Sequence, residues 1–255
     1  MYKKKFGQNF LINENLANQI IELEQIKNKN ILEIGIGNLA LTKKIINNMP
    51  EKFFSLEIDK DLLLGIKEKS YFNFIKNIDA LKADECSLFN NENFSIISNL
   101  PFNISSQLLI KWLKIQNNYR CVNSMTLMFQ KELAERIVAK NNTRKYGRIS
   151  ILSSAFFNIQ KKIDVNKENF YPIPKVDATV LKFTPHKTNK IKKDDFSKLE
   201  KITFIFFNEK RKKNIKKIKK NFNFDQIKNN NLEKYFALRP ENISKEEYFE
   251  LCKIL

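Results

Sequence analysis

Short apolar runs alternate with segments of helical periodicity through the first two thirds of the chain. Strands are predicted at 31–34, 53–59, 94–98 and 125–130, with a weaker one near 78–81 and two later ones at 156–165 and 178–183. The segments between the early strands, such as 39–46, space their apolar residues as helices do. Strands alternating with helices form βαβ units, so the pattern predicts a doubly wound parallel sheet of about seven strands, with an antiparallel pair at its end.

The pattern changes after Pro185 and His186. Residues 196–207 and 214–222 carry apolar stripes, and lysine covers the opposite face of the second one, which predicts amphipathic helices. We therefore expect two domains, a large α/β domain over residues 1–186 and a small helical domain over residues 187–255.

The net charge of +18 is unevenly distributed along the chain. Residues 187–220 contain 14 Lys or Arg and four Asp or Glu. Lys, Asn, Ile and Phe are abundant throughout, and because all four have A/T-rich codons, the base composition of the gene is an alternative source of this charge. Such a concentration is nevertheless typical of proteins that bind polyanions, so we expect the C-terminal domain to bind nucleic acid.

Other features narrow the class of protein. No stretch approaches the roughly 18 consecutive apolar residues of a membrane-spanning helix, and residues 1–10 lack the apolar region of a signal peptide. The three cysteines show no CxxC spacing, so we expect neither a zinc site nor a disulfide framework. These features favour a cytoplasmic protein without a metal or a membrane partner.

A glycine turn follows the first predicted strand. Residues 35–40 (GIGNLA) contain two of the five glycines of the chain, and Glu57 ends the next strand about 20 residues later, as in dinucleotide-binding folds. NAD and S-adenosylmethionine both fit this pattern, and a tight turn without a ligand is a further alternative. S-adenosylmethionine is favoured because Glu33 would repel a pyrophosphate, Asp84 suits an adenine amino group, and the single histidine leaves a dehydrogenase without its usual proton relay.

The segment NLPFNIS (99–105) ends another predicted strand. A strand-to-helix turn alone would explain an Asn, a Pro and a Ser in this order. The segment also suits the binding of an exocyclic amino group on a planar base. The Asn99 side-chain oxygen and the Leu100 carbonyl would accept the two N–H bonds, Pro101 would hold that carbonyl in place, and Phe102 would stack on the base.

Motifs along nearly the whole chain resemble those of the ribosomal small-subunit RNA adenine dimethyltransferases. NLPFNIS resembles the N-L-P-Y-N-I-S motif of that family, and KKKFGQNFL (3–11) and EIGIGNLALT (33–42) resemble its opening and its cofactor loop. Further similar segments are FQKELAERIVA, YGRIS (146–150), FYPIPKVDATV (170–180), FNEKRKKNIKK and RPENIS (239–244). Phe102 stands where the family has Tyr, and the third glycine of the cofactor loop is missing.

The resemblance implies a Rossmann-like, seven-stranded methyltransferase domain with a small C-terminal helical domain that binds rRNA. The expected cofactor contacts are Gln8, Asn9, Leu11, Glu33, Gly35, Gly37, Glu57, Ile58, Asp84 and Asn99. The expected catalytic residues are Asn99, Leu100, Pro101 and Phe102, with Phe170 closing on the target base. No metal is expected.

The implied reaction is the dimethylation of two adjacent adenosines near the 3′ end of 16S rRNA, by a cytoplasmic monomer acting on the small ribosomal subunit during its maturation. Three alternatives remain. A large-subunit (23S) rRNA adenine methyltransferase of the macrolide-resistance type would resemble N-I-P-Y rather than NLPF. A non-catalytic ribosome-assembly factor would not need an intact NLPF segment. An NAD-dependent oxidoreductase is the third.

Overall fold

The computed structural model describes residues 8–67 and 69–255. The chain divides into two compact units, residues up to 134 together with 159–185, and residues 135–158 together with 186–255. The C-terminal break thus lies at 185/186, and residues 135–158 belong to the second unit. The functional domains predicted at 1–186 and 187–255 stay a prediction.

Strands of the described residues form a large sheet and a small two-stranded one. Their bounds are β1 Phe10–Leu11, β2 Asn30–Ile34, β3 Lys52–Leu56, β4 Ile75–Lys76, β5 Phe94–Asn99, β6 Val122–Gln130, β7 Phe157–Val165, β8 Phe170–Tyr171 and β9 Ala178–Pro185. The large sheet has seven strands in the order β4-β3-β2-β5-β6-β9-β7, and β1 pairs with β8 in the small one.

The large sheet is parallel from β4 to β6, and β9 runs antiparallel to β6. The strand order reverses between β2 and β5, because β3 and β4 lie on one side of this pair and β6 on the other. Ligands of open α/β sheets bind beyond the carboxyl ends of the strands at such a reversal. The topology therefore predicts a ligand site at the residues that follow β2 and β5.

The central strands are apolar because both faces of the sheet are covered. Ile31 and Leu32 of β2 and Ile96 and Ile97 of β5 have no solvent exposure. Continuous apolar runs are typical of parallel strands buried on both faces. Glu33 of β2 is the exception, since it is a buried carboxyl group within such a strand.

The helices of the described residues are short, apart from two. Their bounds are α1 Glu14–Glu22, α2 Thr42–Asn47, α3 Lys60–Leu64, α4 Glu85–Leu88, α5 Ser105–Tyr119, α6 Lys131–Ile137, α7 Arg148–Ser154, α8 Asp195–Phe207, α9 Ile215–Asn221, α10 Phe224–Asn229 and α11 Lys245–Leu251. Helix α1 begins where the Asn13 side chain accepts a hydrogen bond from the Leu16 N–H. Helix α5 ends at Arg120, whose backbone is left-handed.

The second unit is helical around an aromatic cluster. The Phe206 and Tyr248 rings meet edge to face at 5.7 Å between centroids, and the Tyr248 hydroxyl donates to the Pro240 carbonyl. Helix α11 begins with a capping box between Ser244 and Glu247. Aromatic burial and a well-capped helix thus stabilise this small unit despite its high lysine content.

One predicted strand lies elsewhere, and one small sheet was not predicted. The weak strand expected near 78–81 lies earlier, at Ile75–Lys76, and residues 79–83 form a turn. The small β1–β8 sheet was not predicted, since two-residue strands have no detectable periodicity. Within residues 8–67 and 69–255, no helix is long and apolar enough to cross a membrane, and no cluster of His, Cys, Asp or Glu could hold a metal.

Candidate active site

A cavity lies at the carboxyl ends of β2, β3 and β5, where the strand order reverses. The space between its walls, including the open mouth, is about 830 Å³. Its lining is drawn from residues in five segments of the first unit, 8–11, 33–41, 56–62, 78–80 and 99–104. Residues far apart in the chain thus meet around one small-molecule cavity.

The glycine turn after β2 forms one wall of the cavity. Gly35 and Gly37 have positive φ angles of 76° and 51°. A Cβ on Gly37 would lie 3.1 Å from Cδ1 of Phe10, so glycine is needed there for space as well as for conformation. Leu39 also has a positive φ, 67°, although it is not a glycine. The backbone therefore keeps a left-handed conformation where the family motif has its third glycine.

Glu33 is a buried acid beside this turn. Its side chain is 1% exposed, and its Oε2 accepts a hydrogen bond of 2.7 Å from the Thr42 hydroxyl. Burial raises the pKa of Glu33 to about 8, and the hydrogen bond from Thr42 offsets only part of that effect. The site thus holds a carboxyl group that needs a positive charge nearby to ionise at neutral pH.

Glu57 connects the glycine turn to the end of β3. Its Oε2 accepts from the Ile36 N–H at 3.2 Å, and its Oε1 accepts from the Asp59 N–H at 2.8 Å. Burial raises the pKa of Glu57, while these backbone hydrogen bonds counteract the shift. Carboxylate oxygens have further lone pairs, so Glu57 is still able to accept hydrogen bonds from a ligand. The neighbouring Ile58 is 45% exposed and also lines the cavity.

Residues 8–11 form the wall facing the glycine turn. The Gln8 amide donates to Asp59 Oδ2 at 2.9 Å, and Asn38 donates to the Leu11 carbonyl at 2.8 Å. The side-chain amide of Asn99 donates to the Asn9 carbonyl at 3.0 Å. Because a carbonyl only accepts, this last contact fixes which end of the Asn99 amide is the nitrogen.

The NLPF segment closes the cavity on the β5 side. Leu100 is buried, and the Pro101 ring lies 3.8 Å from the position that a Cβ would take on Gly35. The Phe102 ring lines the cavity and meets Phe170 edge to face, with 6.4 Å between ring centroids. The segment therefore packs directly on the glycine turn. A cofactor site and an acceptor site must adjoin in this way if a group is to be transferred between them.

Most of the predicted site residues line this one cavity. They are Gln8, Asn9, Leu11, Glu33, Gly35, Gly37, Glu57, Ile58, Asn99, Leu100, Pro101 and Phe102. Asp84 and Phe170 are not among the lining residues. The lining residues that were not predicted include Phe10, Asp79 and Ala80.

Asp84 is used for local structure. Both of its carboxylate oxygens accept hydrogen bonds from Ser87, at 3.2 Å from the N–H and 2.7 Å from the hydroxyl, and it is the N-cap of α4. The side-chain hydrogen bond from Ser87 lowers the pKa of Asp84. Because β4 ends earlier than expected, the acid at the cavity after this strand is Asp79 instead.

Phe170 is buried behind the cavity wall. It has no exposed surface, and it pairs with Leu11 in the β1–β8 sheet. Its ring contacts the Phe102 ring edge to face. In this structure Phe170 therefore contacts the predicted stacking ring and does not face the cavity.

A family model described as ribosomal RNA adenine dimethylase matches residues 1–255. The chain belongs to this family. It is 43% identical to the ribosomal RNA small subunit methyltransferase A of Pelagibacter ubique, over 98% of this chain and 95% of the relative. The corresponding protein of Borreliella burgdorferi strain ZS7 is 38% identical, over 99% of this chain and 88% of the relative.

Two solved structures have a similar fold. A dimethyladenosine transferase from Plasmodium falciparum has a TM-score of 0.78 and 26% identity, over 95% of each chain. The 23S rRNA methyltransferase ErmE has a TM-score of 0.70 at 18% identity, over 97% of this chain and 99% of that one, which shows the shared fold alone. The predicted family, fold class, enzyme class and cofactor, S-adenosylmethionine, are confirmed by the family match.

Proposed function

We propose that this protein dimethylates the N6 amino groups of two adjacent adenosines near the 3′ end of 16S rRNA during small-subunit maturation. The relatives named as small-subunit methyltransferases and the P. falciparum dimethyladenosine transferase support this substrate. The observation that carries the proposal is the side-chain amide of Asn99, held at the cavity by the Asn9 carbonyl.

The chemistry of the cavity lining fits S-adenosylmethionine. When bound, this cofactor supplies a methyl group on a sulfonium. Glu33 is the proposed partner of its positive charges, because a buried carboxyl group with a raised pKa is stabilised in its ionised form by a nearby cation. Glu57 would accept from the ribose hydroxyls, and the glycine turn allows close approach of the backbone. The remaining lining residues proposed to contact the cofactor are Gln8, Asn9, Leu11 and Ile58.

We move the proposed adenine contact from Asp84 to Asp79. Asp79 lines the cavity, and its Oδ1 accepts from the Leu81 N–H at 2.9 Å, which orients the carboxylate. Its Oδ2 would then accept a hydrogen bond from an adenine amino group. Asp84 keeps its role as the N-cap of α4.

Asn99 would orient the acceptor adenosine. Because its amide nitrogen donates to Asn9, its oxygen is the end that accepts from the acceptor amino group. The Leu100 carbonyl would be the second acceptor, held by Pro101, and Phe102 would stack on the base. Holding the amino nitrogen toward the methyl group would lower the barrier by orientation. No general base would be required before attack, because the methyl group would leave a sulfonium, which is a good leaving group. Phe170 is proposed to support the Phe102 ring.

Basic residues of the second unit are the proposed contacts to the rRNA backbone. A cleft in this unit is lined by Arg144, Lys210, Arg211, Lys213 and Arg239, together with one acid, Glu241. Two lysines of the basic segment 187–220 bind backbone carbonyls within this unit. Lys217 is 8% exposed and donates to the Phe206 and Glu209 carbonyls, and Lys210 donates to the Arg144 and Tyr146 carbonyls. Their charges therefore belong partly to the fold of this unit.

We propose that the protein acts as a monomer, in the cytoplasm, on the small ribosomal subunit. The relatives named for the small ribosomal subunit support this partner. The domain of residues 187–255 would contribute much of the rRNA affinity, and the residues up to 186 would carry the chemistry.

The test is single-turnover methylation of immature small subunits with labelled S-adenosylmethionine, followed by mapping of the modified adenosines. Asn99→Ala should lower the rate by about 10²–10³, since one preorganised polar contact in a transition state has roughly that effect. Subunit binding and the melting temperature are the controls and should change little.

Each other result has a distinct meaning. Wild-type rates from Asn99→Ala would show that the NLPF segment is only a turn. Methylation of large-subunit rRNA instead would favour the macrolide-resistance type of enzyme. Tight subunit binding without any methylation by the wild type would favour a non-catalytic assembly factor.

A further inference from the structure

A buried ionic network lies behind one rim of the cofactor cavity. The ammonium group of Lys111, on α5, donates to the carbonyl oxygens of Ala80 and Ala83, both at 2.6 Å. It also lies 2.8 Å from Oε2 of Glu85, a contact of ion-pair length that is not aligned as a hydrogen bond. The other oxygen of Glu85 accepts from the indole N–H of Trp112 at 3.1 Å.

The network is well protected from water. Glu85 and Trp112 have no exposed surface, and the Lys111 side chain is 20% exposed. Burying a carboxylate is costly unless a positive charge and hydrogen-bond donors surround it. Lys111 and Trp112 supply both to Glu85, and Glu85 in turn holds the ammonium group in position.

The two carbonyls bound by Lys111 belong to the turn between β4 and α4. Ala80 and its neighbour Asp79 line the cavity, whereas Ala83 lies at the other end of the turn. The Ala83 N–H donates back to the Asp79 carbonyl at 3.0 Å, which closes the turn. One ammonium group therefore fixes both ends of the segment that presents Asp79.

Lys111 also belongs to the helix that starts at the acceptor segment. Helix α5 begins at Ser105, whose hydroxyl donates to the Phe102 carbonyl at 3.1 Å. A rigid helix thus contacts the proposed acceptor site at its first turn and the cofactor rim near its middle. A purely structural ion pair would not need to bind the two carbonyls of a cavity-lining turn.

We propose that Lys111, held by Glu85, is a positioning residue that sets Asp79 for the amino group of the cofactor adenine and thereby gives the site its selectivity for a 6-amino purine. The proposal rests on the proposed adenine contact of Asp79. A displaced turn would still leave a cavity, but its carboxylate would no longer meet the amino group at hydrogen-bond distance.

The test compares the affinities for two product-like ligands, S-adenosylhomocysteine and S-inosylhomocysteine, by calorimetry. The second ligand has an oxygen in place of the amino group, so its 6-position accepts hydrogen bonds and cannot donate one to Asp79. The wild type should bind the adenosyl ligand at least tenfold more tightly, because a hydrogen bond to a charged group contributes at least about that factor to affinity. Lys111→Met should lower this preference by about tenfold, and Lys111→Arg should restore part of it.

Lys114→Met is the matched control, because Lys114 is an exposed lysine on the same helix. It should leave the preference unchanged. Glu85→Gln is the second variant if Lys111→Met does not fold, and it should lower the preference because the ammonium group loses its counter-charge. Melting temperatures of all variants separate a loss of stability from a change in selectivity.

The proposal would be overturned if Lys111→Met had a lower melting temperature and an unchanged ligand preference. The same result in Glu85→Gln would overturn it if only that variant folds. Lys111 and Glu85 would then form an ordinary structural ion pair. Equal binding of both ligands by a wild type that methylates rRNA would refute the Asp79 contact, and the clamp with it, while the proposed function would stand. Failure of the wild type to methylate rRNA would refute the function without affecting the measured preference.

Discussion

Glu33 gives a prediction that links burial, pH and cofactor binding. Its folded-state pKa is about 8, raised from 4.5, chiefly by burial. Between these two values the folded protein binds more protons than the unfolded chain, so stability falls as the pH rises from about 4.5 to 8. At 1.36 kcal/mol per pKa unit, the loss amounts to roughly 5 kcal/mol at most. Glu33→Gln keeps the shape of the side chain and removes the titration.

The measurement is the free energy of unfolding by denaturant from pH 5 to pH 9. Near pH 5 the variant and the wild type should have similar stability, because the wild-type carboxyl group is then mostly protonated when folded. Near pH 9 the variant should be the more stable by several kcal/mol. Gln still offers an oxygen to the Thr42 hydroxyl, so the hydrogen bond at 2.7 Å is preserved.

The same group should make cofactor binding release a proton. A cation near Glu33 lowers its pKa, so at pH 7 the binding of S-adenosylmethionine should convert the carboxyl group to a carboxylate. Calorimetry in buffers of different ionisation enthalpy measures this release, and Glu33→Gln should abolish it and weaken binding. If the variant shows the same pH dependence of stability as the wild type, Glu33 does not titrate as described and the argument fails.

Two further predictions concern backbone strain and charge. Leu39→Gly should be more stable than Leu39→Ala by about 1 kcal/mol in denaturant unfolding, because a left-handed residue with a Cβ is strained; equal stabilities would show that the loop relaxes. Salt dependence is measured as the slope of the logarithm of the subunit-binding constant against the logarithm of the salt concentration. Arg211→Gln should reduce the magnitude of this slope by about 0.7–0.9. Lys217→Gln should lower the melting temperature and leave the slope unchanged, since the Lys217 ammonium group binds carbonyls. A flatter slope in Lys217→Gln alone would reverse these assignments.

The sheet was largely predictable because its central strands are buried on both faces. Apolar runs such as 31–34 and 94–98 need no tertiary information to be recognised, and the glycine turn and NLPF segment follow them directly. A cavity between those two segments follows from parallel topology, since the carboxyl ends of the strands share one edge. Most of the residues predicted for the site therefore line this cavity.

Other features depend on contacts between distant parts of the chain. Asp79 and Asp84 both follow β4, and the strand is too short for its end to be read from periodicity. Only the structure shows that Ser87 binds one of these acids. Likewise, the lysine pattern of residues 210–217 does not distinguish an exposed side chain from Lys217, whose ammonium group binds two carbonyls. Such assignments require the three-dimensional partners of each group.

The pairing of β1 with β8 has a consequence for the synthesis of the protein. Phe10 and Leu11 belong to the cavity wall, yet their partners are Tyr171 and Phe170, about 160 residues later in the chain. At an elongation rate of roughly 5–20 residues per second, Phe10 and Leu11 wait on the order of ten seconds for their partners to be translated. The nascent chain therefore contains its glycine turn long before it contains a complete cofactor site. The cofactor is thus able to stabilise the enzyme only when most of the chain has been translated.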